Sequence, residues 1–227
     1  MTDKLIDQAF QSWANFFRPF ASTTKMDVIL HTVLTEGRKI SNVVPANNQV
    51  FRCFKECQYS DFKVLFLGIE PFINGGACGL AYAVESTHIG TMPAANKNLL
   101  IELKDEYPDS ILDPSLSTWS KQGILLYSSA LTTVEGKTRA HINEWRPFTQ
   151  YFFKELSERN TGIIYVLLGK EGQEYASLIN AEANYILKYP HPASENTTKG
   201  NSGFFDSGIF LDINAIHKKL YGYELIF

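Results

Sequence analysis

Two turns of this chain carry the side chains best suited to chemistry: a carboxylate at Glu70 and an imidazole at His191. These are group types that hold, give and take protons. Glu70 lies in Phe62-Lys63-Val64-Leu65-Phe66-Leu67-Gly68-Ile69-Glu70-Pro71-Phe72-Ile73, where a continuous β-branched and aromatic run stops at Gly68 and enters a proline-anchored turn. Such a run reads as a strand covered on both faces, and ligands of such sheets gather at the strands' carboxyl ends. His191 lies in Tyr185-Ile186-Leu187-Lys188-Tyr189-Pro190-His191-Pro192-Ala193-Ser194, again an apolar run ending in a turn. Proline on both sides restricts the backbone before and after His191, so its imidazole is aimed. Singly, Glu70 reads equally well as a solvated loop charge and His191 as a surface residue.

Together, Gly-x-Glu-Pro-Phe and Pro-His-Pro-Ala-Ser, more than a hundred residues apart and each following a strand, resemble the two signature motifs of the uracil-DNA glycosylases. In the main family those motifs read Gly-Gln-Asp-Pro-Tyr-His and His-Pro-Ser-Pro-Leu-Ser. The resemblance covers nearly the whole chain in order. Gly79-Leu80-Ala81-Tyr82-Ala83-Val84 is similar to Gly-Leu-Ala-Phe-Ser-Val, and Trp119-Ser120-Lys121-Gln122-Gly123-Ile124-Leu125-Leu126-Tyr127-Ser128 to Trp-Ala-Arg-Gln-Gly-Val-Leu-Leu-Leu-Asn. Leu131-Thr132, Gly136, His141, Val166-Leu167-Leu168-Gly169-Lys170 and Gly203-Phe204-Phe205 follow at matching places.

The resemblance implies hydrolysis of a base–sugar bond on a nucleotide flipped out of DNA. That reaction passes through a cationic sugar and an anionic base, so it needs negative charge near the sugar, a donor near the base oxygen and a positioned water. By resemblance, Glu70 supplies the charge and holds or deprotonates the water, and His191 supplies the donor. Tyr82 stacks on the base, Phe72 crowds the C5 position of the pyrimidine, and Ile69 and Ser128 complete the base-binding set. Pro93, Ala94, Lys170, Ser194, Glu195 and Asn196 are the expected DNA contacts.

Four departures fall on chemical positions. Glu70 replaces Asp and is one methylene longer; Ile69 and Ile73 replace Gln and His; Ser128 stands where the family's Asn reads the uracil edge. Glu195-Asn196-Thr197-Thr198 replaces a leucine wedge. One short hydroxyl cannot copy an amide that both donates and accepts. The expectation is therefore a DNA glycosylase with weak or altered base specificity. The poxviral branch carries Gly-Ile-Asp-Pro-Tyr and His-Pro-Ala and doubles as a polymerase processivity component. The alternative is accordingly a catalytically inactive relative that binds DNA or a protein partner.

Positioning these residues requires one large core, and 227 residues with 44% hydrophobic and 20% charged content supply a single domain over 1–227. Strands are expected at Lys63 to Leu67, Ile124 to Ser128, Gly162 to Leu168 and Tyr185 to Lys188. Helices are expected from about Lys4 to Phe20, with Leu5, Phe10, Trp13 and Phe17 in the core, and around Met26 to Thr35, Gln49 to Cys57, Lys97 to Glu106, Trp145 to Arg159 and Gly172 to Asn180. Alternation of the two predicts an α/β fold: a central, mainly parallel four-stranded sheet flanked by helices. Gly75-Gly76 and Gly200-Asn201-Ser202-Gly203 read as loops beside the motifs.

Net charge of −3 denies the blanket basic surface of a strong non-specific nucleic-acid binder, so DNA contact must be local, through Lys121, Lys137, Arg139, Lys188 and Lys199. No apolar run approaches a membrane span, and an intracellular monomer is expected. Three cysteines argue for reduced thiols. Cys53 and Cys57 lie one helical turn apart but lack a matching pair, so neither a metal nor a cofactor is expected.

Overall fold

The computed structural model describes residues 1–84, 92–194 and 203–227. Its strands are β1 (Val43–Val44), β2 (Val64–Gly68), β3 (Ile124–Ser128), β4 (Thr133–Val134), β5 (Ile164–Leu168) and β6 (Tyr185–Tyr189). Four of them form one parallel sheet in the order β3-β2-β5-β6, and β1 pairs antiparallel with β4 in a separate ladder. Every residue of β2, β3 and β5 is buried, which is why those runs are almost continuously apolar. The edge strand β6 is only half-buried and exposes Lys188, a charge that discourages further strand pairing.

The helices are α1 (Asp3–Phe10), α2 (Ala14–Ala21), α3 (Thr24–Leu30), α4 (Gly37–Ile40), α5 (Arg52–Glu56), α6 (Ala94–Glu106), α7 (Ser117–Ser120), α8 (Ile142–Arg159), α9 (Gly169–Glu174) and α10 (Ile209–Tyr221). Strand alternation assigns them to two layers. Tyr127 and Tyr165 face the aromatic cluster of α1, α2, α5 and α8, with ring centroids of Tyr127 4.8 Å from Phe152 and 5.7 Å from Phe54. Phe66 points the other way, 5.7 Å from Trp119 of α7, which in turn meets Phe210 of α10. The sheet is thus sealed on both faces and opens only at its strand ends.

The amino-terminal segment departs from the expected single helix. It breaks into α1 and α2 around a 3-10 turn at Gln11–Trp13, where Gln11 adopts φ +47°. Phe10, Trp13 and Phe17 are fully buried, but Leu5 is 50% exposed, because its neighbour Ile6 takes the inward position on the same turn. Helix α10 adds to the expected set, and Ile209, Ile213, Ile216 and Leu220 recur along it at helical spacing.

Buried Glu102 on α6 accepts hydrogen bonds from the Asp206 and Ser207 amides at 2.9 and 2.6 Å, fastening the segment ahead of α10 to the α6 layer. Its neighbour Glu106 accepts from the Leu211 amide at 2.7 Å. Burial, with further help from the Glu102 carboxylate, pushes the Glu106 acid up to about 7.

Candidate active site

Parallel pairing brings the strand ends level: Gly68 is in register with Ser128, and Leu168 with Tyr189. Glu70, Ser128, Gly169 and His191 therefore all sit at the carboxyl edge of one sheet, where ligands of such sheets bind. The approach is close at β2. A Cβ at residue 68 would lie 2.9 Å from the Ala81 Cβ and 3.2 Å from the Ser128 Oγ, so glycine lets the segment before Tyr82 lie directly on the strand end.

Two adjoining depressions meet there. The first, a narrow hollow, is lined by Glu70, Phe72, Cys78, Tyr82, Ser128 and Leu131 among others. Tyr82 is 6% exposed, has φ +62°, and donates its hydroxyl to the Leu67 carbonyl at 3.1 Å, so its ring is fixed from beneath. The second, a wider and more open groove, is lined by Ile69, Glu70, Arg139, Lys170, Glu171 and His191 together with Thr138, Leu168 and Gly169. Glu70 belongs to both. Across their boundary the Tyr82 and His191 rings lie 6.0 Å apart at 48°. Ile69 lines the groove and is not among the residues of the hollow, while its carbonyl accepts from Ser129 Oγ and Ala130 N.

Glu70 is held by groups that its own motif does not reveal. Its Oε2 accepts from the Thr133 hydroxyl at 2.9 Å, and the Arg139 amide approaches Oε1 at 2.9 Å and Oε2 at 2.7 Å. Arg139 presents that amide from φ +62°, while its guanidinium pairs with Glu171. Burial raises the Glu70 acid above its ordinary value, and the Thr133 and Arg139 donors oppose that rise by favouring the ionised form. The Thr133 hydroxyl has one proton and two candidate acceptors, Glu70 and the Lys137 carbonyl at 3.2 Å. Thr133→Val is expected to raise the Glu70 titration midpoint further, read by carboxyl ¹³C NMR. An unmoved midpoint would show that the proton serves Lys137.

His191 is oriented from two sides. Gly169, at φ +73°, packs beneath it so closely that a Cβ there would lie 2.9 Å from the His191 Cβ. The Ala193 amide donates to Nδ1 at 3.1 Å, which makes Nδ1 an acceptor and leaves the proton of the neutral ring on Nε2. Burial lowers the imidazole below its ordinary value, and the Glu171 carboxylate partly opposes that shift. The ring is thus a neutral donor through Nε2.

Of the expected DNA contacts, Pro93 and Ala94 form the start of α6, and Lys170 is exposed at the start of α9 beside the groove. Ser194 is half-buried, with a buried Oγ that has no hydrogen-bond partner among the described residues. Glu195, Asn196 and Lys199 lie outside the described residues, as does most of the Gly200–Gly203 stretch. Lys121, Lys137, Arg139 and Lys188 are exposed. Cys53 and Cys57 are free and buried, and burial pushes the Cys57 thiol up to about 12. Among the described residues no cluster of His, Cys, Asp and Glu is arranged to hold a metal, and no helix is long and apolar enough to cross a membrane.

The fold is an α/β domain that brings a carboxylate and an imidazole to one edge of a parallel sheet, and comparison with known proteins specifies its family. The uracil DNA glycosylase superfamily matches residues 54–210. The uracil-DNA glycosylase of Mycoplasmopsis pulmonis is 33% identical over 213 residues, covering 92% of this chain and 94% of that one. That of Clostridioides difficile is 35% identical over 194 residues, covering 84% of each. Among solved structures, mimivirus uracil-DNA glycosylase superposes over 100% of this chain and 89% of its own with a TM-score of 0.86 at 21% identity, and a mimivirus variant in complex with UGI with a TM-score of 0.84. The chain belongs to the uracil DNA glycosylase superfamily, a family of hydrolytic DNA N-glycosylases.

Proposed function

We propose that this chain flips a uracil-like or modified pyrimidine out of DNA and hydrolyses its N-glycosidic bond, acting as a monomer and with base specificity altered from strict uracil reading. The observation that carries this reading is the position of Glu70, which faces both the hollow beside Tyr82 and Ser128 and the groove that holds His191. The base enters the hollow against the Tyr82 ring, a stack of the kind worth about 1–3 kcal/mol per base. As the sugar–base bond breaks, its electron pair leaves with the base and negative charge gathers on the base's exocyclic carbonyl oxygen. Nε2–H of His191 donates to that oxygen, and the Glu70 carboxylate steadies the cationic sugar. Water adds to the sugar carbon and its proton passes toward Glu70, leaving an abasic site and a free base. The relatives named uracil-DNA glycosylase support the reaction class.

Specificity is the point of departure. Ser128 lines the hollow but carries no amide, so the edge of uracil meets one hydroxyl where a two-way reader is needed. Sites that read a substrate through such groups owe them discrimination of roughly 10⁴-fold. A second reading, a non-catalytic relative that binds DNA or a protein partner, draws support from this same loss.

An excision assay over normal, damaged and modified bases tests the proposal, with at least one pyrimidine expected to be released. Ser128→Asn combined with Glu70→Asp is expected to raise uracil release by at least about tenfold, well within what such groups contribute. Silence of both proteins across the panel, with DNA binding intact, would replace the enzyme reading by the binding one.

A further inference from the structure

We propose that Asn98, on α6, is a positioning residue that sets the tautomer of His191 through a single peptide plane. The proposal rests on the reading of His191 as donor to the departing base, and deepens it. Asn98 Nδ2 donates to the Pro192 carbonyl at 2.7 Å. That carbonyl and the Ala193 N–H are opposite ends of one planar amide, which cannot turn one end without turning the other. The Ala193 N–H is the group that donates to His191 Nδ1 at 3.1 Å. Holding the carbonyl against α6 therefore holds the N–H against the ring.

The consequence is chemical as well as geometric. An Nδ1 that accepts a hydrogen bond cannot also carry a proton, so the neutral ring must carry it on Nε2. Without the Asn98 donor the amide plane is free to rock, Nδ1 loses its fixed donor, and the other tautomer and the imidazolium become accessible. The position of the ring is set separately. Gln173 Nε2 on α9 donates to the Tyr189 carbonyl at 2.9 Å, and Gly169 packs under the His191 Cβ. The α9 side thus places the ring while the α6 side decides which nitrogen bears the proton. The ionisable groups around it are Glu171 and Lys170 on α9, Glu70 and Arg139 across the groove, and the Tyr82 phenol on the hollow side. Asn98 brings a neutral amide to this surrounding, so its effect on the ring comes through the amide plane.

The test is ¹⁵N NMR of the histidine-labelled full chain, with His191 assigned by loss of its signals in His191→Gln. Wild type is expected to show neutral His191 with its proton on Nε2 near neutral pH. Asn98→Asp, of the same shape but without the donor, and Asn98→Leu are expected to show mixed tautomers, and the uncharged Asn98→Leu also a higher titration midpoint. Their kcat on the best base of the panel should fall by roughly 10- to 100-fold, the scale of a slightly misplaced catalytic group, with KM within about twofold. A merely structural role for Asn98 would lower Tm without moving the tautomer. A wild-type ring protonated on Nδ1, or an unchanged tautomer in Asn98→Asp, would overturn the proposal, and both measurements stand even where Asn98→Leu does not fold. If wild type releases no base but the tautomer still shifts in Asn98→Asp, the coupling stands and the catalytic reading alone falls.

Discussion

Glu70→Gln is expected to lower base release by at least about a hundredfold while leaving affinity for single-stranded DNA within about twofold, the loss typical of removing one preorganised electrostatic group. The geometry makes this a test of charge more than of shape. Glutamine has the length of glutamate, and its amide oxygen can keep the bond from the Arg139 N–H now made at 2.7–2.9 Å. Its NH₂ would then face the Thr133 hydroxyl, which can turn its own proton to the Lys137 carbonyl at 3.2 Å and accept from the amide. The loop keeps the Thr133 bond in reversed sense and one of the two Arg139 contacts, so the main loss is the negative charge. A reaction that builds a cationic sugar should feel that loss in kcat, whereas binding of an intact strand should not. His191→Ala is expected to cost a similar factor, because the donor to the base oxygen goes with it. A Glu70→Gln protein that keeps a third or more of its activity would mean that the carboxylate does not face the sugar.

Much of this arrangement was legible in the sequence because it depends on local signals. The run Val64-Leu65-Phe66-Leu67, short, β-branched and aromatic and bounded by Gly68, reads as a covered strand, and its end fixes where Glu70 emerges. Two prolines around His191 announce a constrained turn in the same way. The supports of these residues are long-range and left no comparable mark. Thr133 reaches Glu70 from 63 positions away and the Arg139 amide from 69. A backbone amide carries no side-chain signature at all. Asn98 lies 94 positions from Pro192 and reads simply as one polar residue of a helix. The error at Leu5 is of a different kind: two adjacent apolar residues, Leu5 and Ile6, compete for one inward position, and only packing decides between them.

The extra methylene of Glu70 acquires a physical rationale from those supports. The carboxylate lies against the Thr133 hydroxyl and the Arg139 amide, both in the β4 region, and those bonds tie the Gly-x-Glu-Pro-Phe turn to the segment that follows β4. The same donors favour the ionised form and offset part of the rise that burial imposes on the longer acid. Under the proposed function, the longer arm does not replace the amide missing from the end of β3, where Ser128 lines the hollow. A carboxylate kept beside a position without an amide is what the proposed retuned enzyme requires, and it is why the base panel must extend beyond uracil.

Gly169→Ala is expected to cost activity out of proportion to its size, on the order of a hundredfold, together with roughly 1–3 kcal/mol of stability from a side chain forced into a left-handed backbone conformation. The stability part follows from φ +73°, a region that penalises any Cβ. The activity part follows from contact. The new Cβ would lie 2.9 Å from the His191 Cβ, a separation that real Cβ atoms do not adopt, and neither atom can rotate away because both are bonded directly to backbone. Either the start of α9 or the Pro-His-Pro turn must move, and His191 moves relative to Glu70 in both cases. Gly222→Ala separates the two effects. Gly222 has φ +84° and nothing within 4 Å of the place a Cβ would take, and it caps α10 next to Tyr221, whose hydroxyl bonds the Gly162 carbonyl ahead of β5 at the far edge of the sheet. Gly222→Ala should therefore lose comparable stability and keep its excision rate. Equal loss of stability in the two variants with unchanged excision in Gly169→Ala would show that the site tolerates displacement of His191, and the role assigned to that residue would have to be given up.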